Sequence, residues 1–273
     1  MDMKEISLLL ERFHQLNIPD SIDWEKFNHY AIVHHSTSIE GSTLTELETQ
    51  LLLDENLTAK GKSFDHHLQV KDHYQALLFT LVAASKQLPI TVTLIQNIAE
   101  QVMKNTGSVR NTVTGSFDSG KGEFRLGSVT VGDKQFVDYK KLPGLMDRFC
   151  SELDNAIRKV AKKEEALILS FDAHYNLVTI HPFGDGNGRT ARLVMNYVQH
   201  RQALPLAVVF NEDRLDYFNA LTDTREKEDL NIFRKFMLNQ YGKMLNQEIE
   251  KTKKSKSIKL KKTDNDKGLT MFI

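Results

Sequence analysis

The stretch His181-Pro182-Phe183-Gly184-Asp185-Gly186-Asn187-Gly188-Arg189-Thr190-Ala191-Arg192 decides how this 273-residue chain is interpreted. An apolar run with helical spacing follows it, so a helix is predicted to begin at Gly188 with unpaired backbone N–H groups at its positive end. Arg189 and Arg192 share a face of that helix and can reach one polyphosphate. His181 can accept a proton near neutral pH, and Asp185 suits a hard cation such as Mg²⁺. The pattern indicates phosphoryl or nucleotidyl transfer.

Two other glycine-rich motifs fit the stretch less well. Gly184, Gly186 and Gly188 approach a dinucleotide fingerprint, but the spacing is one residue short and no βαβ unit surrounds them. As a Ca²⁺ loop the stretch begins acceptably at Asp185, but Arg189 then stands where a third oxygen ligand belongs. Both motifs are therefore disfavoured.

The same stretch matches the signature His-x-Phe-x-Asp-Gly-Asn-Gly-Arg-x-x-Arg at every fixed position and so resembles the Fic family. The resemblance runs from about Leu44 to Met237. It implies a protein adenylyltransferase, an enzyme that transfers AMP from ATP to a Ser, Thr or Tyr hydroxyl of a target protein. Gly188 favours nucleotidyl transfer, since family members that act as kinases carry Lys there.

The resemblance also implies a role for each residue of the stretch. His181 would take the proton of the attacking hydroxyl, and Asp185 would hold Mg²⁺ on the phosphates. Arg189 would neutralise the pyrophosphate leaving group, and Arg192 would bind the γ-phosphate. Phosphate contacts from backbone N–H groups, with the side chain of the asparagine adding a donor, are expected at Gly186, Asn187 and Gly188.

A hairpin ahead of the stretch resembles the family's flap. Residues 124–132 are rich in Gly, Val and Thr, which is typical of strands and turns. The resemblance implies that an extended segment of the target protein pairs with the flap edge, and that Val129, Thr130, Val131 and Gly132 lie over the nucleotide. Tyr217 is expected near the nucleoside. Arg225 departs from the asparagine of some relatives, which leaves the contacts to the base open.

The N-terminal part holds a second motif, Ser36-Thr37-Ser38-Ile39-Glu40-Gly41. It resembles the family's inhibitory motif, Ser/Thr-x-x-x-Glu-Gly/Asn. A Glu40 carboxylate bound to Arg192 would occupy the guanidinium that the γ-phosphate needs. Ser36 lies one turn before Glu40 on the same helix face and could fix the position of that helix. Autoinhibition is therefore expected, with Ser36, Glu40 and Gly41 as its residues.

Helical periodicity dominates the rest of the chain. The fold class expected is all-α, a Fic-type helical bundle with one β-hairpin flap. We expect an N-terminal helical region at 1–60, a catalytic core at 61–248 and a basic, flexible tail at 249–273, all in one compact domain. Within this plan Thr43-Leu44-Thr45-Glu46 is interpreted as a capping box, and the last helix is predicted over Leu230–Glu248.

Composition limits the partners and the compartment. The chain has 36 Lys and Arg residues and 36 Asp and Glu residues, so its net charge is zero. No overall electrostatic attraction to nucleic acid or to an anionic membrane is therefore expected. The single cysteine, Cys150, and the absence of a basic, apolar leader predict a cytoplasmic protein. A homodimer is left open. No metal site is assigned to the histidines at 29, 34, 35, 66, 67 and 73, because none has a Cys partner or a His-Glu-x-x-His arrangement.

Three alternative functions remain at this stage. The enzyme could transfer another nucleotide, because the signature specifies the phosphates better than the base. It could remove AMP from a modified target with the help of Glu40. The chain could also be a non-catalytic regulator that binds ATP behind a closed contact between Glu40 and Arg192.

Overall fold

The computed structural model describes residues 1–21, 23–131 and 134–268, and it describes their side chains except at 131, 134 and 256–268. This part of the chain is mainly helical, which confirms the all-α prediction. The helices are α1 Met3–Gln15, α2 Trp24–Ile39, α3 Glu46–Glu55, α4 Phe64–Ser85, α5 Val92–Met103, α6 Leu142–Lys159, α7 Lys163–Ile180, α8 Asn187–Arg201, α9 Arg214–Glu226 and α10 Leu230–Gly268.

Helix α8 lies at the centre of the bundle. Every residue from Arg189 to Gln199 is buried, with α4, α5 and α7 packed around it. A helix enclosed on all sides must satisfy its polar side chains internally. Gln199 does so by accepting from the backbone N–H of Ala207 at 2.8 Å and donating to the Ser170 hydroxyl at 3.0 Å. Arg189 and Arg192, at the other end of α8, form part of the site described below.

Helix α2 brings the N-terminal motif onto α8. It ends at Ile39, where Glu40 is the C-cap residue and Gly41 follows with φ +105°. The backbone N–H of Gly41 donates to the carbonyl of Ser38 at 3.0 Å, and that of Ser42 donates to Thr37 at 3.0 Å. This turn lets the chain leave the helix while the Glu40 side chain stays on the side facing α8.

Two small hairpins lie between α5 and α6, where the sequence predicted one. The first pairs β1 Val109–Thr112 with β2 Gly115–Asp118, and the second pairs β3 Thr130–Val131 with β4 Lys134–Gln135. The second overlaps the predicted flap, 124–132, at β3, while Phe124 at the start of that range pairs with Phe183 through an isolated bridge. The first was missed because its two four-residue strands carry no alternation of apolar residues.

Two predicted helix boundaries were wrong. The N-cap of α3 is Thr45 rather than Thr43: the Thr45 hydroxyl accepts from the N–H of Glu48, and the Glu48 carboxylate accepts from that of Thr45. Two overlapping Ser/Thr-x-x-Glu patterns compete there, and the second starts the helix. The last helix, α10, runs on to Gly268 through most of the segment predicted as a flexible tail.

Candidate active site

His181 ends α7 in a left-handed backbone conformation, with φ 54° and ψ 58°. Its N–H donates to the carbonyl of Leu177 at 3.0 Å, and Pro182 directs the chain away from the helix. The imidazole stacks on the ring of Phe136, with centroids 3.9 Å apart and planes at 26°. The half-buried imidazole is therefore held between the end of α7 and the segment that follows β4.

The loop between α7 and α8 is closed by Asn187. Its Oδ1 accepts from the N–H of Phe183 at 2.9 Å, and its Nδ2 donates to the carbonyl of the same residue at 2.9 Å. Phe183 is 2% exposed and bridges to Phe124 near the flap. The Asn187 side chain thus shapes the loop, and its expected contact to a phosphate stays a prediction, since an amide nitrogen carries two donor hydrogens and Phe183 takes one.

The first turn of α8 already faces a carboxylate. Gly186 is the N-cap with φ +75°, and a Cβ added to Gly188 would lie 2.5 Å from Oε1 of Glu40. Glu40 thus lies against the end of the helix where backbone N–H groups attract anions.

Arg192 is 3% exposed and bound by the N-terminal motif. It donates from Nε to the Ser36 hydroxyl at 2.8 Å, and from Nη2 to the Ser36 carbonyl at 3.0 Å and to Oε1 of Glu40 at 2.7 Å. Burial of Glu40 opposes its charge, but the charge and hydrogen bond of Arg192 hold the pKa of that carboxyl below its ordinary value. The predicted contact between the two motifs is present in the structure.

Arg189 has spare donors. It is 3% exposed, its Nη2 lies 3.2 Å from Sδ of Met103 and 3.5 Å from Oδ1 of Asp185, and its Nε and Nη1 have no partner among the described residues. A thioether is a weak acceptor. The guanidinium is therefore available for an anion beside α8.

Asp185 is the acidic residue of the loop, with half of its side chain exposed. One open carboxylate at a helix end that attracts anions fits Mg²⁺, which binds through one or two carboxylates together with substrate phosphates. The described residues hold no cluster of three or more metal-ligating side chains. The donor set thus fits a cation that arrives with a nucleotide.

Tyr217 is buried beside Arg192. It is 1% exposed, its hydroxyl lies 3.0 Å from Nε2 of His174, and Nη1 of Arg192 donates to it at 3.4 Å. Burial raises the pKa of Tyr217 to about 12. Tyr217 thus packs against Arg192 and His174, and its expected place near the nucleoside stays a prediction.

The flap covers the side of the site next to His181. The carbonyl of Val129 accepts from the N–H of Phe136 at 3.0 Å, and Thr130 and Val131 form β3. Gly132, also expected over the nucleotide, lies outside the described residues.

Sequence reasoning missed three residues that contact the site. Phe136 stacks on His181, and Met103 contacts Arg189. The ring of Phe117, in the first hairpin, lies so close to Gly184 that a Cβ added there would be 2.6 Å from it. None belongs to a motif, and each lies more than 40 residues from its partner in sequence. No local spacing could have indicated these contacts.

Comparison with known proteins agrees with this geometry. Residues 89–199 match the model of the Fic/DOC family. The protein adenylyltransferase Fic of Drosophila willistoni is 30% identical over 72% of this chain and 37% of its own length, and that of Drosophila grimshawi is 31% identical over 72% and 38%. The chain thus spans less than two fifths of these relatives.

Two solved structures share the fold. A Fic domain containing signaling protein from Bacteroides thetaiotaomicron superposes with a TM-score of 0.77 at 23% identity, covering 91% of this chain and 97% of that one. Fic-1 from C. elegans gives 0.75 at 24% identity, covering 92% and 73%. With the signature spanning this loop and the first turns of α8 and with the matching domain model, residues 89–199 form a domain of the Fic/DOC family.

Proposed function

We propose that this protein is an adenylyltransferase that moves AMP from ATP to a hydroxyl side chain of a target protein and is inhibited by its own Glu40. The observation that carries the proposal is the position of the Glu40 carboxylate. It binds Arg192 at 2.7 Å and lies against the first turn of α8, so a built anion site is occupied by an internal anion. The relatives' name, protein adenylyltransferase, supports the same reaction.

The reaction needs a proton acceptor, stabilisation of the leaving group and orientation of the phosphates, and these residues can supply all three. The target hydroxyl attacks the α-phosphorus of ATP, the bond from that phosphorus to the β-bridging oxygen breaks, and the hydroxyl proton passes to the His181 imidazole. Arg189, with its unused donors, stabilises the charge that develops on the departing pyrophosphate. The N–H groups at the start of α8 orient the phosphates.

Magnesium is part of the proposal through Asp185. Bound with the nucleotide, Mg²⁺ would neutralise phosphate charge, and the exposed Asp185 carboxylate is the residue that would hold it. We expect Asp185→Asn to raise the Mg²⁺ concentration needed for labelling, while Asp147→Asn, at an exposed site on α6, leaves it unchanged. Equal Mg²⁺ dependence in both variants would remove Asp185 from the metal site.

The target is proposed to be a protein that presents an extended segment to the flap. The short strand β3 can extend its ladder by main-chain pairing, which places a hydroxyl near His181. A cytoplasmic location belongs to the proposal, because ATP is supplied there. In the described part of the chain, no helix has both the length and the apolar character required to span a bilayer.

The decisive experiment uses ATP labelled on either the α- or the γ-phosphorus, with a lysate as the source of targets. Glu40→Gly is expected to raise α-label incorporation about 5–150-fold over the wild-type chain, the range of a typical coupling between two sites. His181→Ala should lower it by about 10²–10⁴-fold in either background. Transfer of the γ-label would indicate a kinase instead, and no transfer with tight ATP binding would indicate a non-catalytic regulator.

A further inference from the structure

Arg125 is a buried arginine between the two hairpins. It is 1% exposed, and the described residues place no carboxylate within ion-pair distance of it. A buried guanidinium without a carboxylate partner is costly unless its donors are satisfied in another way. At Arg125 backbone carbonyls serve that purpose.

The three carbonyls come from three separate segments. Nε donates to His181 at 2.8 Å, Nη1 donates to Gly127 at 2.6 Å, and Nη2 donates to Val137 at 2.6 Å. The backbone N–H of Arg125 donates to the carbonyl of Pro182 at 3.0 Å. One residue therefore connects the start of the flap, the segment that follows β4 and the loop that carries His181.

The segment that follows β4 also contacts the His181 ring. Phe136, which stacks on that imidazole at 3.9 Å, directly precedes Val137, whose carbonyl Arg125 holds. A displacement of this segment must therefore change both the ring contact and the bond from Arg125. His181 itself has a left-handed backbone, which a non-glycine residue keeps only when its surroundings impose it.

We propose that Arg125 is a positioning residue that couples the flap to His181, so that a target segment seated on the flap sets the orientation of the proton acceptor. This inference rests on the proposed function for its catalytic consequence, but the mechanical coupling does not. The planar fork of arginine is needed because it can reach three carbonyls at once, whereas a lysine ammonium is a single point at the end of a flexible stem.

The coupling is tested first without catalysis, by hydrogen exchange of the full-length chain with its natural Glu40. Arg125→Lys is compared with Arg148→Lys, a substitution at an exposed position on α6. With Arg125→Lys, amides in 124–131 and in 181–187 should exchange together, roughly ten-fold faster, while those in α1 keep their rates. Faster exchange in one segment only, or in neither, would overturn the coupling.

A second variant is used if Arg125→Lys destabilises the whole fold. If Arg125→Lys also accelerates exchange in α1, Arg125→Gln is used, because its planar amide still fills the site and donates to carbonyls over a shorter reach. The same paired acceleration is expected, at a smaller amplitude. Independent behaviour of the two segments in Arg125→Gln would count against the proposal.

The catalytic consequence is measured in the Glu40→Gly background. Arg125→Lys should lower the turnover number at saturating ATP by at least about ten-fold, since misplacement of a reacting group by about 1 Å has effects of this order or larger. The affinity for an ATP analogue should stay the same. A rise in the ATP dissociation constant with unchanged turnover would mean that Arg125 serves nucleotide binding instead. If the Glu40→Gly parent labels no target, the proposed function fails, while the exchange result still decides the coupling.

Discussion

The Glu40 carboxylate and the Arg192 guanidinium are 152 residues apart in sequence and 2.7 Å apart in the structure. Ser36, one turn earlier on α2, accepts from the same guanidinium with both its hydroxyl and its carbonyl. Three acceptors on one helix end therefore hold one arginine. Any ligand that needs Arg192 must displace the carboxylate, and the remaining contacts to Ser36 keep the guanidinium in place when it does.

The contact between Glu40 and Arg192 should not respond to pH near neutrality. The pKa of Glu40 in the folded chain lies below its ordinary value, so the stabilisation is present above the unfolded pKa and is lost as pH falls through the folded one. The ratio of labelling by Glu40→Gly to labelling by the wild-type chain should therefore be constant between about pH 6 and pH 8, well above both values. Taking the ratio cancels any pH dependence that the two proteins share. A ratio that falls towards one at the acid end would show that another group controls inhibition.

Global stability, in contrast, should fall on mild acidification. Burial lowers the pKa of His35 to about 4, so the folded chain keeps this ring neutral where the unfolded chain protonates it. The contribution to stability is complete above the unfolded pKa and is lost as pH falls below it. For His35 alone, the free energy of unfolding should drop by about 2 kcal/mol between roughly pH 7 and pH 5. Burial also lowers the pKa of His73 and His174, which adds to the same trend.

Denaturant unfolding at several pH values tests this expectation. His35→Asn keeps an acceptor near the N–H of Asn211, which donates to His35 at 3.2 Å, but it cannot titrate. Its stability should therefore depend less on pH than that of the wild-type chain. His14→Asn, at an exposed position on α1, serves as the control. Parallel pH profiles for the wild type and His35→Asn would contradict the assignment.

Tyr217 should matter for stability and for Arg192 rather than for nucleotide affinity. Tyr217→Phe removes the hydroxyl that lies 3.0 Å from Nε2 of His174, and a buried polar group left without a partner costs about 1–3 kcal/mol. Denaturant unfolding should show that loss, while the dissociation constant of an ATP analogue should change by less than about two-fold, or 0.4 kcal/mol. Tyr175→Phe, half-buried beside His174 in sequence, is the control. A large loss of nucleotide affinity with unchanged stability would instead place Tyr217 at the nucleoside site.

The sequence predicted those features that depend on local patterns: the helices and the residues of one signature. Periodicity located the helices, and the signature identified His181, Asp185 and the two arginines, because adjacent residues on a turn and a helix have a fixed geometry. It could not predict that the Asn187 side chain binds Phe183, since the same amide could equally face a phosphate. The contacts of Phe136, Arg125 and Met103 depend on how distant segments pack, and no spacing in the sequence encodes that packing.

Gly41 offers a test of the inhibitory contact that leaves every contact residue intact. Its φ of +105° is a conformation that other residues adopt at a cost, and a Cβ placed there would meet no atom within 4 Å. Gly41→Ala should therefore destabilise the chain through its backbone alone, by about 1 kcal/mol. The strain falls on the turn that follows Glu40, so we expect the carboxylate to shift away from Arg192 and labelling of targets to rise.

Gly61 supplies the matched control, because it lies between α3 and α4 with φ +77° and the same open surroundings. Gly61→Ala should lower the melting temperature by a similar amount without raising labelling, because its strain does not reach the Glu40 side chain. A rise in labelling by both variants would mean that general loosening activates the enzyme. Activation by Gly41→Ala alone would tie inhibition to the backbone turn that positions Glu40, since neither Glu40 nor Arg192 is altered in that variant.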